Sequence, residues 1–478
     1  MATPDVDLLV IGAGSAGLVA ARTARSLGAS VLLVEQERFG GDCLWTGCVP
    51  SKALVAAGNA AADARAADAL GVHAEVRVDG AGVVAGIEAA VRRIEPVDAP
   101  EALHAIGVRT ATGTAFLTGR TAAADAVTAD VAGETVTAGR VVLATGATPV
   151  VPAVPGLQAL APDTSATLWA ALAAHGGLPE RLAVLGGGPV GCEIAQAMAR
   201  LGVAVTLISR ADRLLTREDP DASALVARAL RNDGVDVRLG VRAVSADGDP
   251  HQGVLHLTDG STAGFDRLLL AVGRRPTTDG LGLGSTSLAT RADGSVVVDH
   301  TQRTADARVF AAGDVTGPPY WTHLAGVTGS NAAANALLGT RRALDPSTVG
   351  RVTFTRPEVA AVGVTSAGSR MTVRTTQHTH LDRAVTDRAT DGFTRLVVDH
   401  RGRVVGATVV GPRAGETLGE LALAVRHGLR TRDVTATVHP YPTFSDGVWD
   451  AAITDTRARL AGPLSSRAID ALRRLRAR

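Results

Sequence analysis

A glycine turn between two apolar strands, a second copy of that unit near residue 186, and a change of texture from about residue 346 predict an α/β chain. It carries two Rossmann-like βαβ units and a C-terminal α+β unit.

The first unit begins with the apolar run Asp7-Leu-Leu-Val-Ile11, then Gly12-Ala-Gly-Ser-Ala-Gly17, a helical stretch Leu18 to Leu27 closed by Gly28, and a second apolar strand from Ser30 to Glu35. Gly12, Gly14 and Gly17 allow a tight turn, close approach to a pyrophosphate, and helix-on-strand packing. The helix N-terminus then offers amides and a positive dipole end to the phosphates. Glu35, at the end of the second strand, is placed to hold a ribose hydroxyl pair.

The second unit repeats this order. Leu182-Ala-Val-Leu185 is the strand, and Gly186, Gly188 and Gly191 form the turn. The helix runs to about Leu201, and Val203 to Ser209 is the next strand. Two whole βαβ units imply two nucleotide sites in one chain. The second site lacks the acid: Ser209 stands there, followed by Arg210 and Arg213. Without a carboxylate there is no clash with a 2′-phosphate, and an arginine can bind one, which favours NADPH over NADH while leaving NADH open.

Arg140 to Gly146, Leu268 to Gly273 and Val309 to Gly313 read as buried strands ending in glycine. Proline-rich stretches at 149–156 and 316–319 read as crossovers. Beyond residue 346, Val352 to Phe354, Arg395 to Asp399 and Val404 to Val410 read as an antiparallel sheet, with helices at 415–428 and 447–460 and an Arg-rich helix at 464–478.

Composition excludes several function classes. The 478 residues are 46% hydrophobic and 20% charged, with a net charge of +1, so no field draws the chain to nucleic acid or an anionic membrane. Aromatics at 3% leave little for stacking bases. The longest uncharged run, between Arg140 and Asp163, contains Pro149, Pro152, Pro155 and Pro162 and cannot be a regular spanning helix. With no basic n-region at the N-terminus, a cytoplasmic location is the expectation.

The three cysteines, Cys43, Cys48 and Cys192, cannot form a structural disulfide framework in so long a chain. Cys43 and Cys48 lie in Gly40-Gly-Asp-Cys-Leu-Trp-Thr-Gly-Cys-Val-Pro-Ser-Lys52. Their spacing allows a small disulfide ring, and helix entry just after Cys48 would lower its thiol pKa. A metal half-site would need partner ligands, and no second cysteine pair exists, so no metal is expected here. Lys52 is the only lysine among 48 basic residues, which suggests that a compact ammonium is needed there. Cys192 reads as a small core residue.

These motifs resemble the class I pyridine nucleotide-disulfide oxidoreductases, the family of glutathione reductase, dihydrolipoamide dehydrogenase and mercuric reductase, over nearly the full length. The resemblance implies an FAD-binding domain at 1–150 completed by 276–345, an NAD(P)H-binding domain at 151–275, and a dimerisation domain at 346–478. Cys43 and Cys48 match the redox-active pair, with Cys48 proximal to the flavin as the thiolate and Cys43 as the sulfur that meets the acceptor. Lys52 and Glu193 match the ionic partners near the flavin. Thr145-Gly146 and Gly313-Asp314 match FAD-contacting motifs, and Gly273-Arg274-Arg275-Pro276 the motif closing the nicotinamide domain. His323 lies where relatives run past the flavin.

One departure concerns the acceptor. Where relatives carry His-Pro-Thr-x-x-Glu, donated by the partner subunit, this chain has His439-Pro-Tyr-Pro-Thr-Phe-Ser-Asp446. Tyr441 occupies the histidine position and Asp446 the glutamate position. On an extended segment His439 would face the same side as Tyr441 and could supply an imidazole, or it could be structural. Mercuric reductases similarly carry tyrosine here, but no cysteine follows Cys192 to deliver a metal ion. The expectation is a homodimeric enzyme passing electrons from NADPH through FAD and the cysteine pair to a small acceptor, most simply a disulfide. A soft metal ion, a quinone or a sulfur-containing metabolite remain alternatives, and a non-enzymatic flavoprotein subunit is a more distant one.

Overall fold

The computed structural model describes residues 3–121 and 125–477. The chain divides into two compact units, residues 1–210 with 241–344, and residues 211–240 with 345–478.

In the first unit, strands Arg109–Thr112, Val31–Glu35, Val6–Ile11 and Glu134–Leu143 lie side by side in that order and run parallel. Val309–Ala311 adds a further parallel strand beside Glu134–Leu143. That strand starts six residues before the Arg140 expected from sequence. Its early part pairs antiparallel with Ala126–Val131, which in turn pairs with Ala115–Thr121. One long strand thus ends the parallel sheet and begins an antiparallel excursion. The run of apolar side chains marked only the doubly covered part.

The helix Ser15–Ser26 follows the first glycine turn. It packs tightly on Thr322–Leu338 because both contribute small residues. A Cβ on Gly329 would lie 2.2 Å from the Ala16 carbonyl oxygen, so only glycine permits this approach.

The second glycine turn sits above a further parallel arrangement in this unit, Ala204–Ser209, Arg181–Leu185, Arg267–Leu270 and Asp163–Thr164. Arg267–Leu270 stops three residues short of Gly273, where the chain turns with φ +139° into Arg274–Pro276. The helix Pro189–Arg200 packs on Cys48–Ala66 at a second close approach, between Gly58 and Ala197.

The second unit contains an antiparallel sheet in the order Arg351–Thr353, Glu358–Gly363, Val404–Gly411, Phe393–Asp399, Met371–Gln377. Helices Ala414–His427 and Asp446–Leu460 close its core through Leu418, Leu421, Val448 and Ala452. The C-terminal Arg-rich helix spans Pro463–Arg476. Among the described residues, no helix is long and apolar enough to cross a membrane.

Candidate active site

Cys43 lies in the short helix Gly41–Trp45, and Cys48 is the first residue of the long helix Cys48–Ala66. The turn between them is pinned from outside: Trp169 Nε1 donates to the Thr46 carbonyl at 2.7 Å, and Trp45 Nε1 donates to Phe39 O at 2.7 Å. Both thiols are free and partly buried.

The two sulfurs have opposite protonation preferences. A hydrogen bond from Cys43 is the largest influence on Cys48 and pulls its thiol down to about 6, against the cost of burial. The Thr322 hydroxyl and the Lys52 charge act the same way. Cys43 is pushed up, first by that same bond, then by burial and the charge on Cys48. The surroundings thus favour the thiolate on Cys48 and the thiol on Cys43.

Lys52 follows Cys48 by one helical turn, and its Nζ meets Glu193 Oε2 at 2.7 Å. Glu193 is only 5% exposed, near the start of Pro189–Arg200. The Gly58–Ala197 approach brings these helices together, and Arg200 Nη1 bonding Asn59 Oδ1 at 2.6 Å extends the contact. A compact ammonium compensates a buried carboxylate beside the redox pair.

The residues around the first glycine turn fit a dinucleotide. Gly12 has φ +101°, and a Cβ there would lie 2.4 Å from Ala144 O. At Gly14 a Cβ would meet only Gly41 Cα, at 3.8 Å, so that side of the turn stays open. A Cβ on Gly17 would collide with Gly12 O. Glu35 Oε2 accepts the Ala13 amide at 2.8 Å, which fixes the carboxylate at the mouth of the turn. Thr145 Oγ1 donates to Thr277 O at 2.6 Å, and Thr277 N donates to Gly146 O at 3.0 Å, so two of the expected contact segments are tied together.

Gly313 donates its amide to Thr328 Oγ1 at 3.1 Å. The neighbouring Asp314 is raised to about 6 by burial, with Arg274 opposing. Arg274 bridges the carboxylate of Asp42, the Ala147 carbonyl and, at 3.8 Å, Asp314. Sequence reasoning gave Arg274 to the nicotinamide domain. The structure joins it to the segment carrying Cys43, through an aspartate that was not singled out.

The second turn repeats the geometry. A Cβ on Gly186 would lie 2.2 Å from Ala271 O, one on Gly191 would strike Gly186 O, and one on Gly188 meets nothing within 4 Å. Arg210 is exposed at the end of Ala204–Ser209. Arg213 Nη1 donates to Glu218 O at 2.9 Å and its Nη2 to Thr216 O at 2.6 Å, within its own loop. Cys192 is fully buried, its thiol pushed up by burial, as a small core residue should be. His323 is exposed and stacks on Trp321.

In the second unit, His439 and Tyr441 bond different partners. His439 Nδ1 lies 3.0 Å from the Thr437 carbonyl and Nε2 lies 2.6 Å from Glu420 Oε1. A carbonyl only accepts, so Nδ1 carries a proton, and Nε2 is taken by the carboxylate. Both nitrogens are engaged within this subunit. Tyr441 is 71% exposed, and its hydroxyl donates to the carboxylate of Asp382, which holds the phenol above its ordinary value. Asp446 is not that partner. It starts the helix Asp446–Leu460 and accepts the Thr443 amide at 3.0 Å. Phe444, packed on Leu381 and Ala384, anchors the segment and places Tyr441 near Asp382.

Sequence reasoning missed Thr322, Asp42, Asp382 and Glu420. Each is distant in sequence from its partner, and no local spacing marked it. Among the described residues, no group of three or more His, Cys, Asp or Glu could hold a metal ion.

The family described as pyridine nucleotide-disulphide oxidoreductase matches residues 6–336, and its dimerisation domain matches residues 349–452. The chain is 37% identical to a mercuric reductase of Streptomyces lividans, over 94% of this chain and 96% of that protein. It is 35% identical to dihydrolipoyl dehydrogenase 2 of Haloarcula marismortui, again over 94% and 96%. The crystal structure of LpdA from Mycobacterium tuberculosis superposes with a TM-score of 0.84 at 28% identity, covering 94% of this chain and 99% of that one. A Cu(II) complex of a mutant of RclA, an HOCl-induced flavoprotein disulfide reductase from Escherichia coli, gives 0.82 at 25%, over 94% and 99%.

Proposed function

Because this chain belongs to the pyridine nucleotide-disulphide oxidoreductase family, and is therefore an FAD-dependent enzyme that uses NAD(P)H, we propose that it carries electrons from NADPH to a small disulfide through Cys43 and Cys48. The observation that carries this reading is the unequal pair: Cys48 drawn down to about 6 at a helix start, and Cys43 held as its thiol donor.

In this reading residues 1–150 and 276–345 hold FAD, 151–275 hold NADPH, and 346–478 form a homodimer contact. Gly12, Gly14, Gly17, Glu35, Thr145, Gly146, Gly313 and Asp314 hold the first cofactor, with Arg274 balancing Asp314. Gly186, Gly188, Gly191, Gly273 and Arg210 hold the second, Arg210 favouring a 2′-phosphate. Bound FAD supplies the electron relay between nicotinamide and sulfur. The Lys52–Glu193 pair places a compensated charge beside that relay.

The acceptor step is thiol–disulfide exchange. Cys43 loses its proton and attacks one sulfur of the acceptor, forming a mixed disulfide and releasing one thiolate. Cys48 then attacks the Cys43 sulfur, reforming the Cys43–Cys48 disulfide and releasing the second thiolate. The proton that left Cys43 ends on one released sulfur. Tyr441, presented by the partner subunit, serves as a hydrogen-bond donor to that leaving sulfur without giving up its proton. Its phenol, held protonated beside Asp382, is no base at neutral pH. The reducing cytoplasm is the compartment in which such a thiol pair works.

Tyrosine in place of the histidine favours a second reading, in which a soft metal ion bound by the two thiolates is the acceptor. NADPH and NADH oxidation screened over disulfides, Hg(II), Cu(II) and quinones separates the two, with wild type and Cys43→Ser in parallel. Turnover on a disulfide that Cys43→Ser abolishes supports the first reading. Turnover only on metal ions replaces it with the second, and a bound flavin that neither nucleotide reduces rejects both.

A further inference from the structure

We infer that Thr322 is a further catalytic residue of the redox pair: its hydroxyl donates a hydrogen bond to Cys48 Sγ and holds that sulfur as the thiolate. The inference rests on the reading of Cys48 as the electron-carrying sulfur.

Thr322 Oγ1 lies 3.2 Å from Cys48 Sγ, across 274 residues of sequence. Either atom could donate between a neutral thiol and a hydroxyl. Once Cys48 is deprotonated, only the hydroxyl carries a proton, so the direction is fixed. The sulfur then accepts from the Cys43 thiol and from Thr322 together. Hydrogen bonds to an ionised acceptor are about twice as strong as neutral ones.

The placement of Thr322 is built into the fold. It is the first residue of the 17-residue helix Thr322–Leu338, as Cys48 is the first residue of a 19-residue helix. One sulfur therefore lies at the start of its own helix and meets a side-chain donor from the first residue of another. The second helix is held there by close packing that only glycine allows at two positions. Gly329 faces Ala16 O, and Gly313 lies against Ala16 and Ala325. The same hydroxyl also acts on Cys43. On Cys43 it lowers the thiol, against the larger raising effects of the Cys48 bond and burial, so the proton stays on Cys43 while the Thr322 bond favours the thiolate on Cys48.

The two-electron-reduced holoenzyme tests this with Thr322→Val, Thr322→Ala and Thr322→Ser. Long-wavelength thiolate–flavin absorbance is titrated against pH. In parallel, Cys48 alkylation by iodoacetamide is titrated and quantified by mass spectrometry. Val preserves the shape of Thr and Ser preserves the donor. Loss of the donor raises the Cys48 midpoint by roughly one to two pH units, while Thr322→Ser keeps the wild-type midpoint. An unchanged midpoint in Thr322→Val and Thr322→Ala overturns the inference, as does a Ser variant that shifts as far as Val. The alkylation arm does not need the absorbance band, so a variant with low FAD content is still scored. If Cys48→Ser retains the band, the underlying reading fails. If Cys48→Ser loses it and Thr322→Val does not shift, only the role of Thr322 fails.

Discussion

Around Cys48 the polar groups find their partners within one compact unit: Cys43, Thr322, and the Lys52–Glu193 pair one helical turn on. Around Tyr441, in the other unit, a phenol 71% exposed rests on Asp382, on a segment anchored from below by Phe444. The first region has its donors, charges and packing in place before any acceptor arrives. The second has its side chain oriented but not enclosed. The half of the reaction that loads electrons onto the sulfurs is therefore expected to depend on packing precision, and the half that unloads them on one presented hydroxyl.

Gly329→Ala attacks the first region hardest. The new Cβ would sit 2.2 Å from Ala16 O, a backbone atom that cannot rotate away. The Thr322 helix must shift, costing on the order of 3 kcal/mol of stability. Thermal unfolding should come earlier, FAD retention should fall, and both half-reactions should slow. A variant with wild-type unfolding and FAD content would show that the contact is slack.

Tyr441→Phe sharpens the contrast from the other side. Stopped-flow kinetics should show flavin reduction by NADPH unchanged, and reoxidation by the true acceptor slowed by about 100-fold. Equal slowing of both would make Tyr441 structural. Asp446→Asn should disturb the start of its helix rather than the phenol, because its carboxylate bonds Thr443 N.

The smallest effect concerns stability alone. His378 is fully buried in the second unit, beside Phe444, its Nδ1 unpartnered, and burial pushes it down to about 4 from 6.5. Below pH 6.5 the unfolded chain takes a proton that the folded chain refuses until about pH 4. Stability from this group is therefore complete above pH 6.5 and falls as the solution is acidified, by roughly 2 kcal/mol at pH 5. Denaturant unfolding of wild type and His378→Gln at pH 7.5 and 5 measures it. The variant should lose less stability on acidification, and an identical loss would show that His378 is not refusing the proton.

The two regions were also unequally legible in the sequence. Gly12, Gly186, Cys43, Cys48 and Lys52 declared themselves because their chemistry depends on spacing within a few residues, and the structure places them as those spacings demand. Thr322 gave no signal, because its partner is 274 residues away and only the Gly329–Ala16 packing brings them together. In the second region the partners lie outside the local motif: the phenol bonds Asp382, 59 residues away, and the imidazole Glu420, 19 residues away. The bonds by which the Arg213 guanidinium closes its own loop were likewise not legible from spacing.

The central claim is that Cys48 is the thiolate that exchanges electrons with the flavin, prepared within its own unit. Anaerobic two-electron titration of the holoenzyme with NADPH, followed at long wavelength across pH in wild type and Cys48→Ser, tests it directly. The account expects a thiolate–flavin band in wild type that fades as pH falls through about 6, and no band in Cys48→Ser at any pH. A band that persists in Cys48→Ser would contradict it.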